Sequence, residues 1–297
     1  MKIELSPDQT YTARAGEQLV RGLRITAEWE GLRKLVDGTG RHMIVDIDGI
    51  VVKGTAALLH DLRLTTSADS FITVPETTLP TGQVVPAFQV GQYHCGSQSN
   101  GLVVVSASVA PLVNIKYQVA RDLCGQAGYK LITELQCLAI AVNIAQQDIN
   151  WSGGKVGEGS IYQGLHKDSV SGPQAGTCES TDPAERRWHA LSNGARIHDF
   201  AGNVFTWVFD DVQGDADGLV SGSIAKDSPS LTCAPAPSRE KGVGYVPSGP
   251  LSLSSRALIR GGCWYSDSDA GVFALGDGWP DDGSYDVGFR CTKPIGL

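Results

Sequence analysis

"RGGCWYSDSDAGVFALGDGWPDDGSYDVGFRC", residues 260 to 291, joins two kinds of sequence. Its ends, Arg260-Gly-Gly-Cys-Trp264 and Val287-Gly-Phe-Arg-Cys291, are dense in glycine, aromatic rings and arginine. Glycine serves where backbones approach closely, aromatic rings anchor cores, and an arginine such as Arg290 can be a buried, hydrogen-bonded cation. The 22 residues between them, 265 to 286, carry no helical or strand period. An irregular segment held at both ends by tightly specified structure is where a protein places a working surface.

Upstream, residues 150 to 255 are dominated by Gly, Ser, Asp and Pro, with short strands expected in "ARIHDFAG", "NVFTWVFD" and "ALIRGGCW". Two helices precede this region. Asn114 opens the first, with Ile115, Val119, Leu123 and Ala127 on one face and Gly128 as its stop. Thr133 and Gln136 form a capping-box pattern for the second, carried by Leu135, Leu138, Ala139 and Val142. Before the helices, "AFQVGQYHC" and "GLVVVSASV" read as strands. Residues 1 to 83 hold β-type runs such as "HMIVDIDGIVVKG" and "DSFITV", with a short helix expected at "AEWEGLRKLV". The Pro- and Thr-rich "VPETTLPTGQVVP" is expected to be a linker. The chain is thus expected to fold as two domains, 1 to 83 and 84 to 297, as its 297 residues also predict.

Composition excludes several function classes. A net charge of −8 gives no electrostatic footprint for nucleic acid or an anionic membrane. The start of the chain lacks a secretory core and no apolar run reaches the roughly 18 residues of a membrane span, so a soluble protein without membrane insertion is expected. Seven cysteines are scattered without a C-x-x-C pair. Buried reduced thiols are expected, with one or two disulfides if the protein matures outside the cell. The six histidines, 42, 60, 94, 166, 189 and 198, show no metal-ligand pairing. "DVQGDADG" lacks the Gly and terminal Glu of an EF-hand and reads as a solvated acidic loop.

Four stretches in order, "APLVNIKYQVARDLCGQAGYKLITELQ", "GNVFTWV", "RALIRGGCW" and "VGFRC", resemble the formylglycine-generating-enzyme-like branch of the C-type lectin fold. Members carry "W-V-N-I-S-x-x-x-A", "Y-R-L-P-T-E-A-E-W", "G-N-V-W-E-W", "R-G-G-S-W" and "G-F-R". The resemblance covers about residues 84 to 297 and implies an α+β C-type lectin fold behind a small N-terminal β-rich domain. The chain departs from the pattern at Ile132, Gln136, Leu138 and Thr206. The oxidase of this family uses a cysteine pair shortly after the Gly-Gly motif. Aligned on Gly261-Gly262, those positions fall on Ser266 and Gly271, so catalytic residues are not expected. A structural calcium ion near the "G-N-V-W-E-W" turn is the one cofactor that the resemblance leaves open, with Asn203 retained and Thr206 in place of the acid.

Within this branch, "R-G-G-S-W" followed by a hypervariable tract and closed by "P-D-N-x-N-N-N-[IV]-G-F-R" resembles the variable proteins of diversity-generating retroelements of phages and bacteria. Here the closing stretch is Pro280-Asp-Asp-Gly-Ser-Tyr-Asp-Val-Gly-Phe-Arg290. In such systems template adenines, largely in AAY codons, are randomised, and the resulting codons cannot encode Lys, Glu, Gln or Met. Residues 265 to 287 contain none of these four, and only Trp279 needs another codon. The resemblance implies a ligand-binding protein with its variable region at about 256 to 291. The expected contact residues are Tyr265, Asp267, Asp269, Phe273, Leu275, Asp277, Trp279, Asp282, Ser284 and Tyr285, clustered on one exposed face. Six Asp and no Lys or Arg between 265 and 287 point to a neutral or basic protein ligand on a target-cell or host surface. The phage virion or the bacterial surface is the expected location, and residues 1 to 83 suit attachment or homo-oligomerisation. The alternatives are an invariant phage tail or structural protein and, behind it, an oxidase.

Overall fold

The structure, a computed structural model, describes residues 2–5, 10–15, 18–29, 32–46, 51–55, 70–97, 103–235 and 239–295. The chain divides into two compact units, Met1–Asp69 and Ser70–Leu297.

The described part of the first unit is an antiparallel meander whose six strands pair in chain order: Lys2–Leu5, Tyr11–Ala15, Gln18–Trp29, Leu32–Val36, His42–Asp46 and Val51–Gly54. Ala13, Val20, Leu23, Leu35, Met43 and Val45 form its core. In place of the helix expected at "AEWEGLRKLV", its described residues lie on two antiparallel strands, with Trp29 paired to Leu32 and Glu28 to Arg33. A Glu28–Arg33 ion pair at 2.8 Å lies across the two strands. The long strand Gln18–Trp29 offers a backbone partner that the weak helical spacing cannot outcompete.

In the second unit, one antiparallel sheet has the order Lys130–Leu131, Cys291–Pro294, Phe88–Gly91, Phe71–Val74. Phe71–Val74 therefore belongs to this unit, and the division of the chain falls at 69/70 rather than at 83/84. "VPETTLPTGQVVP" is not a linker. Thr77–Thr78 pairs with Val84–Val85 in a hairpin, Leu79 and Val85 are buried, and Gly82 turns the chain at φ +86°. Pro and Thr here mark a tight turn inside the fold.

A second sheet has the order Leu275–Gly278, Ala257–Arg260, Phe205–Val208, Val287–Phe289, with the last pairing parallel. It separates two cores, because successive side chains of a strand point to opposite faces. Trp207 and Ile259 join one cluster, with Phe289, while Val208 and Leu258 join the other, with Phe273 and Leu275.

Helix α1, Tyr117–Gln126, covers the first core and α2, Glu134–Ala145, lies in the second. α1 starts three residues after Asn114, which sits at φ +57°, and its buried residues are Tyr117, Ala120 and Cys124. The expected face is rotated, since Val119 is exposed. α2 begins with the capping box read from Thr133 and Gln136, and every residue from Cys137 to Ile144 is buried. A helix covered on all sides carries no polar stripe, which is why its apolar pattern is nearly continuous. The result is an α+β C-type lectin fold. No helix of the described residues is long and apolar enough to cross a membrane.

Candidate ligand-binding surface

The two ends of the tract are fixed in the core. Trp264 is buried beside Leu165, Val204 and Cys263, its N–H donating to the Asn203 carbonyl at 3.1 Å and its carbonyl accepting from the Asp168 N–H at 2.7 Å. Gly262 has φ +88°, and a Cβ there would lie 2.5 Å from the Ala270 backbone. Arg260 is buried and paired with Glu134, and its guanidinium also donates to the Phe273 carbonyl at 2.8 Å. At the other end Phe289 is fully buried. Arg290 donates to the carbonyls of Gly91 at 2.7 Å and His198 at 2.8 Å. Burial brings the Arg290 guanidinium down to about 10, against the pull of Asp199. Trp207 ties the sheet to the start of α1 by donating to the Ile115 carbonyl at 2.9 Å.

Between these anchors the chain surfaces, submerges and surfaces again. Tyr265 emerges first, followed by a short turn, Asp267–Asp269. Residues 270 to 275 then dive inward and are all buried. Phe273 (1% exposed) and Leu275 (2%) belong to the core cluster around α2, so they are not part of an exposed face. The physical reason is the apolar run "AGVFAL", which packs under the tract and feeds the edge strand Leu275–Gly278. That strand also corrects the expectation of 22 residues without regular structure.

Beyond it the chain returns to the start of α1. Pro280 accepts from the Tyr117 N–H at 3.1 Å, and Ser284 accepts from the Asn114 N–H at 2.9 Å. A Cβ on Gly283 would come within 2.7 Å of the Asn114 backbone, so glycine is needed for this approach.

The exposed rings of the tract fall into two groups. In the first, the rings of Tyr265 and Tyr285 stack with centroids 6.0 Å apart, each against the buried Trp264 at 5.2 Å and 5.8 Å. The Tyr265 hydroxyl and the Ser284 hydroxyl both donate to Asp286. Burial and the Asp286 carboxylate push the Tyr265 phenol up, so it stays a donor. In the second, Trp279 is 59% exposed beneath the Arg256 guanidinium, 3.9 Å from the ring centroid, while Arg256 pairs with Asp277 at 2.6 Å. Asp269 pairs with Arg239, whose guanidinium lies 4.8 Å from the Tyr245 ring. Asp267, Asp281 and Asp282 are exposed.

The structure thus brings Tyr265, Tyr285 and Ser284 together, and Asp277 with Trp279. Three contributors were missed. Asp286 was legible as a tract residue, but Arg256 and Arg239 lie outside the tract and their partners depend on the fold. These two cations offset part of the acidity that the tract shows when read alone.

The oxidase's two thiol positions and the calcium turn of the lectin-like branch are engaged otherwise in this chain. Ser266 accepts from the Cys263 N–H at 2.9 Å and lies 3.2 Å from the Cys263 sulfur. A Cβ on Gly271 would fall 2.2 Å from the backbone of Val243 and Gly244, so no cysteine side chain fits at the second thiol position. The calcium turn is also committed elsewhere. Asn203 exchanges hydrogen bonds with the Gln174 backbone at 2.9 Å, and Thr206 meets His94 Nε2 at 2.8 Å. In the acidic run, Asp210 and Asp215 accept from backbone N–H groups just downstream. Among the described residues no group of three or more His, Cys, Asp or Glu side chains is placed to hold a metal ion.

A lectin-like sheet with its two helices, closed around an anchored irregular tract, defines a class of scaffold. Its family is given by a family model, the sulfatase-modifying factor enzyme 1-like domain (FGE-sulfatase), which matches residues 65–295, and the chain belongs to this family. No curated protein matches the chain. Among solved structures it is similar to PvdO from Pseudomonas aeruginosa, at 14% identity over 78% of this chain and 96% of that one, with a TM-score of 0.39. The Treponema denticola variable protein 1 is 15% identical over 75% and 94% of the two chains (TM-score 0.34). The Major Tropism Determinant P3c variant is 13% identical over 99% and 94% (TM-score 0.38).

Proposed function

We propose that the protein binds a macromolecular ligand through the tract 265 to 286, and that a diversity-generating retroelement varies this tract on an otherwise fixed lectin-like scaffold. One observation carries the reading: Trp264 and Phe289 are buried, while Tyr265 and Tyr285, within four residues of them, and Trp279 between the two tyrosines expose their rings. Aromatic rings held rigidly at a surface supply large contact area at low entropic cost. The absence of Lys, Glu, Gln and Met from 265 to 287 supports randomisation at adenines. The proposed contact residues are now Tyr265, Asp267, Asp269, Asp277, Trp279, Asp282, Ser284 and Tyr285. The ligand is a protein on a target-cell or host surface, and the site of display is a phage virion or a bacterial surface. The first unit serves attachment or self-association.

The family contains enzymes, but this chain is read as a binder. Ser266 carries no thiol, and Gly271 has no room for one. Purified protein given copper and a cysteine-containing sulfatase peptide is expected to leave the peptide unconverted.

Sequencing the DNA beside the gene tests the retroelement. A near-copy of the codons for residues 256 to 291, differing mainly at adenines and next to a reverse transcriptase gene, is the expected result. A source genome without such a copy would overturn the diversification and leave an invariant binding or structural protein.

A further inference from the structure

Three thiols that the binding surface does not use meet inside the second unit. The Cys291 sulfur lies 2.9 Å from the Cys124 sulfur and 3.2 Å from the Cys95 sulfur. All three residues are buried in the core beneath α1, and all are reduced. They come from distant parts of the chain: Cys95 from the strand Cys95–Ser97, Cys124 from α1 and Cys291 from the last strand, Cys291–Pro294. A disulfide is about 2.0 Å long, so either pair needs to close by only about 1 Å. Cys291 is common to both short approaches.

We propose that these residues form an oxidisable site that holds one disulfide, with Cys291 always one partner and either Cys124 or Cys95 the other. Formation with oxidised glutathione balances: two protein thiols lose two electrons and two protons, and two glutathione thiols are released. The third sulfur makes the bond exchangeable. A Cys95 thiolate attacking the Cys291 sulfur of a Cys124–Cys291 bond forms Cys95–Cys291 and releases the Cys124 thiolate, with no net redox change. Burial opposes ionisation of Cys95, but hydrogen bonding with the Cys124 and Cys291 sulfurs and, after it, the Arg290 guanidinium outweigh burial and hold the Cys95 thiol below its ordinary range. Burial pushes Cys124 and Cys291 up, so they are the poorer nucleophiles.

Either bond would tie the strand that closes the tract to an element far away in sequence. The tract's C-terminal anchor would then be held covalently in a chain that matures under oxidising conditions.

The test is to refold the reduced full-length protein in a glutathione redox buffer, alkylate free thiols in denaturant and map the peptides by mass spectrometry. Both Cys124–Cys291 and Cys95–Cys291 cross-linked peptides are expected. In Cys95→Ala only the first should remain, in Cys124→Ala only the second, and in Cys291→Ala Cys95 and Cys124 should both be alkylated. Wild-type protein alone decides the matter even if a variant fails to fold. Full alkylation of Cys291, recovery of only one of the two cross-links, or a Cys95–Cys124 bond would overturn the proposal.

Discussion

Trp264 and Tyr265 are adjacent in the chain, yet one is 4% exposed and the other 40%. That step separates two energetic roles. Trp264→Ala or Phe289→Ala removes a buried ring and is expected to cost roughly 3–5 kcal/mol. Phe273→Ala belongs with them although it lies in the tract, because its ring packs in the core. Tyr265→Ala, Tyr285→Ala and Trp279→Ala each give up only a ring pair or a cation–π contact at the surface, worth about 0.5–1.5 kcal/mol, and should move the melting temperature by only a few degrees. Differential scanning fluorimetry of the two sets checks this, and a stable Phe273→Ala protein would contradict the assignment of that ring to the core. Glu134→Ala is expected to be as severe as the core set, about 3–5 kcal/mol, because it strands the Arg260 guanidinium without its buried partner. Anchors and exposed rings were legible in sequence, since Gly-Gly-Cys-Trp and Gly-Phe-Arg mark the boundaries of the tract. Phe273 and Leu275 were not separated from them, because residue type alone does not say which apolar residue of a tract turns inward.

At the scale of elements, the strand pair Trp188–Ala190 and Arg196–His198 carries a titration into the core. His189 is fully buried, with Nε2 on the Tyr162 carbonyl at 2.7 Å, and burial pulls its imidazole down to about 4. His94 is also held well below its ordinary value, first by burial and then by Arg290 and Arg187. An unfolded chain takes up these protons near pH 6.5, whereas the folded chain resists until far lower pH. Stability is therefore full above about pH 6.5 and falls as the pH drops, by roughly 2 kcal/mol between pH 7 and 5 for His189 alone. Melting temperatures across that range should decline on acidification, and His189→Gln should flatten the slope; an unchanged slope would remove His189 as a cause. Elements with local signals were the legible ones. The capping box at Thr133 needs only neighbours three residues apart, and Thr133→Ala should cost about 1 kcal/mol. The face of α1 and the strand pairing of Trp29 with Leu32 differ from the local reading because each depends on a partner element that local spacing does not reveal.

For the whole molecule, the division of the chain at 69/70 has a direct consequence. Phe71–Val74 is hydrogen-bonded along Phe88–Gly91, and Ser70 joins the ladder through the Gln92 and Val105 backbones. Val74 and Leu79 are buried in the core around α2, and Thr77 lies within hydrogen-bond reach of the Asn143 side chain. A protein starting at Ser70 keeps all of this, whereas one starting at Val84 loses an edge strand, a hairpin arm and three buried side chains, Val74, Thr77 and Leu79. Each buried aliphatic residue contributes about 1.5–3 kcal/mol, and the exposed edge of Phe88–Gly91 adds unpaired backbone groups. The loss approaches the 5–15 kcal/mol that ordinarily holds a domain together. Residues 70 to 297 are therefore expected to express as a folded unit with a single cooperative melt. Residues 84 to 297 are expected to melt at much lower temperature or without cooperativity. Calorimetry of the two proteins side by side makes the comparison, and equal melting temperatures would mean that the segment 70 to 83 is an appendage and that the fold begins later than its strand pairing places it.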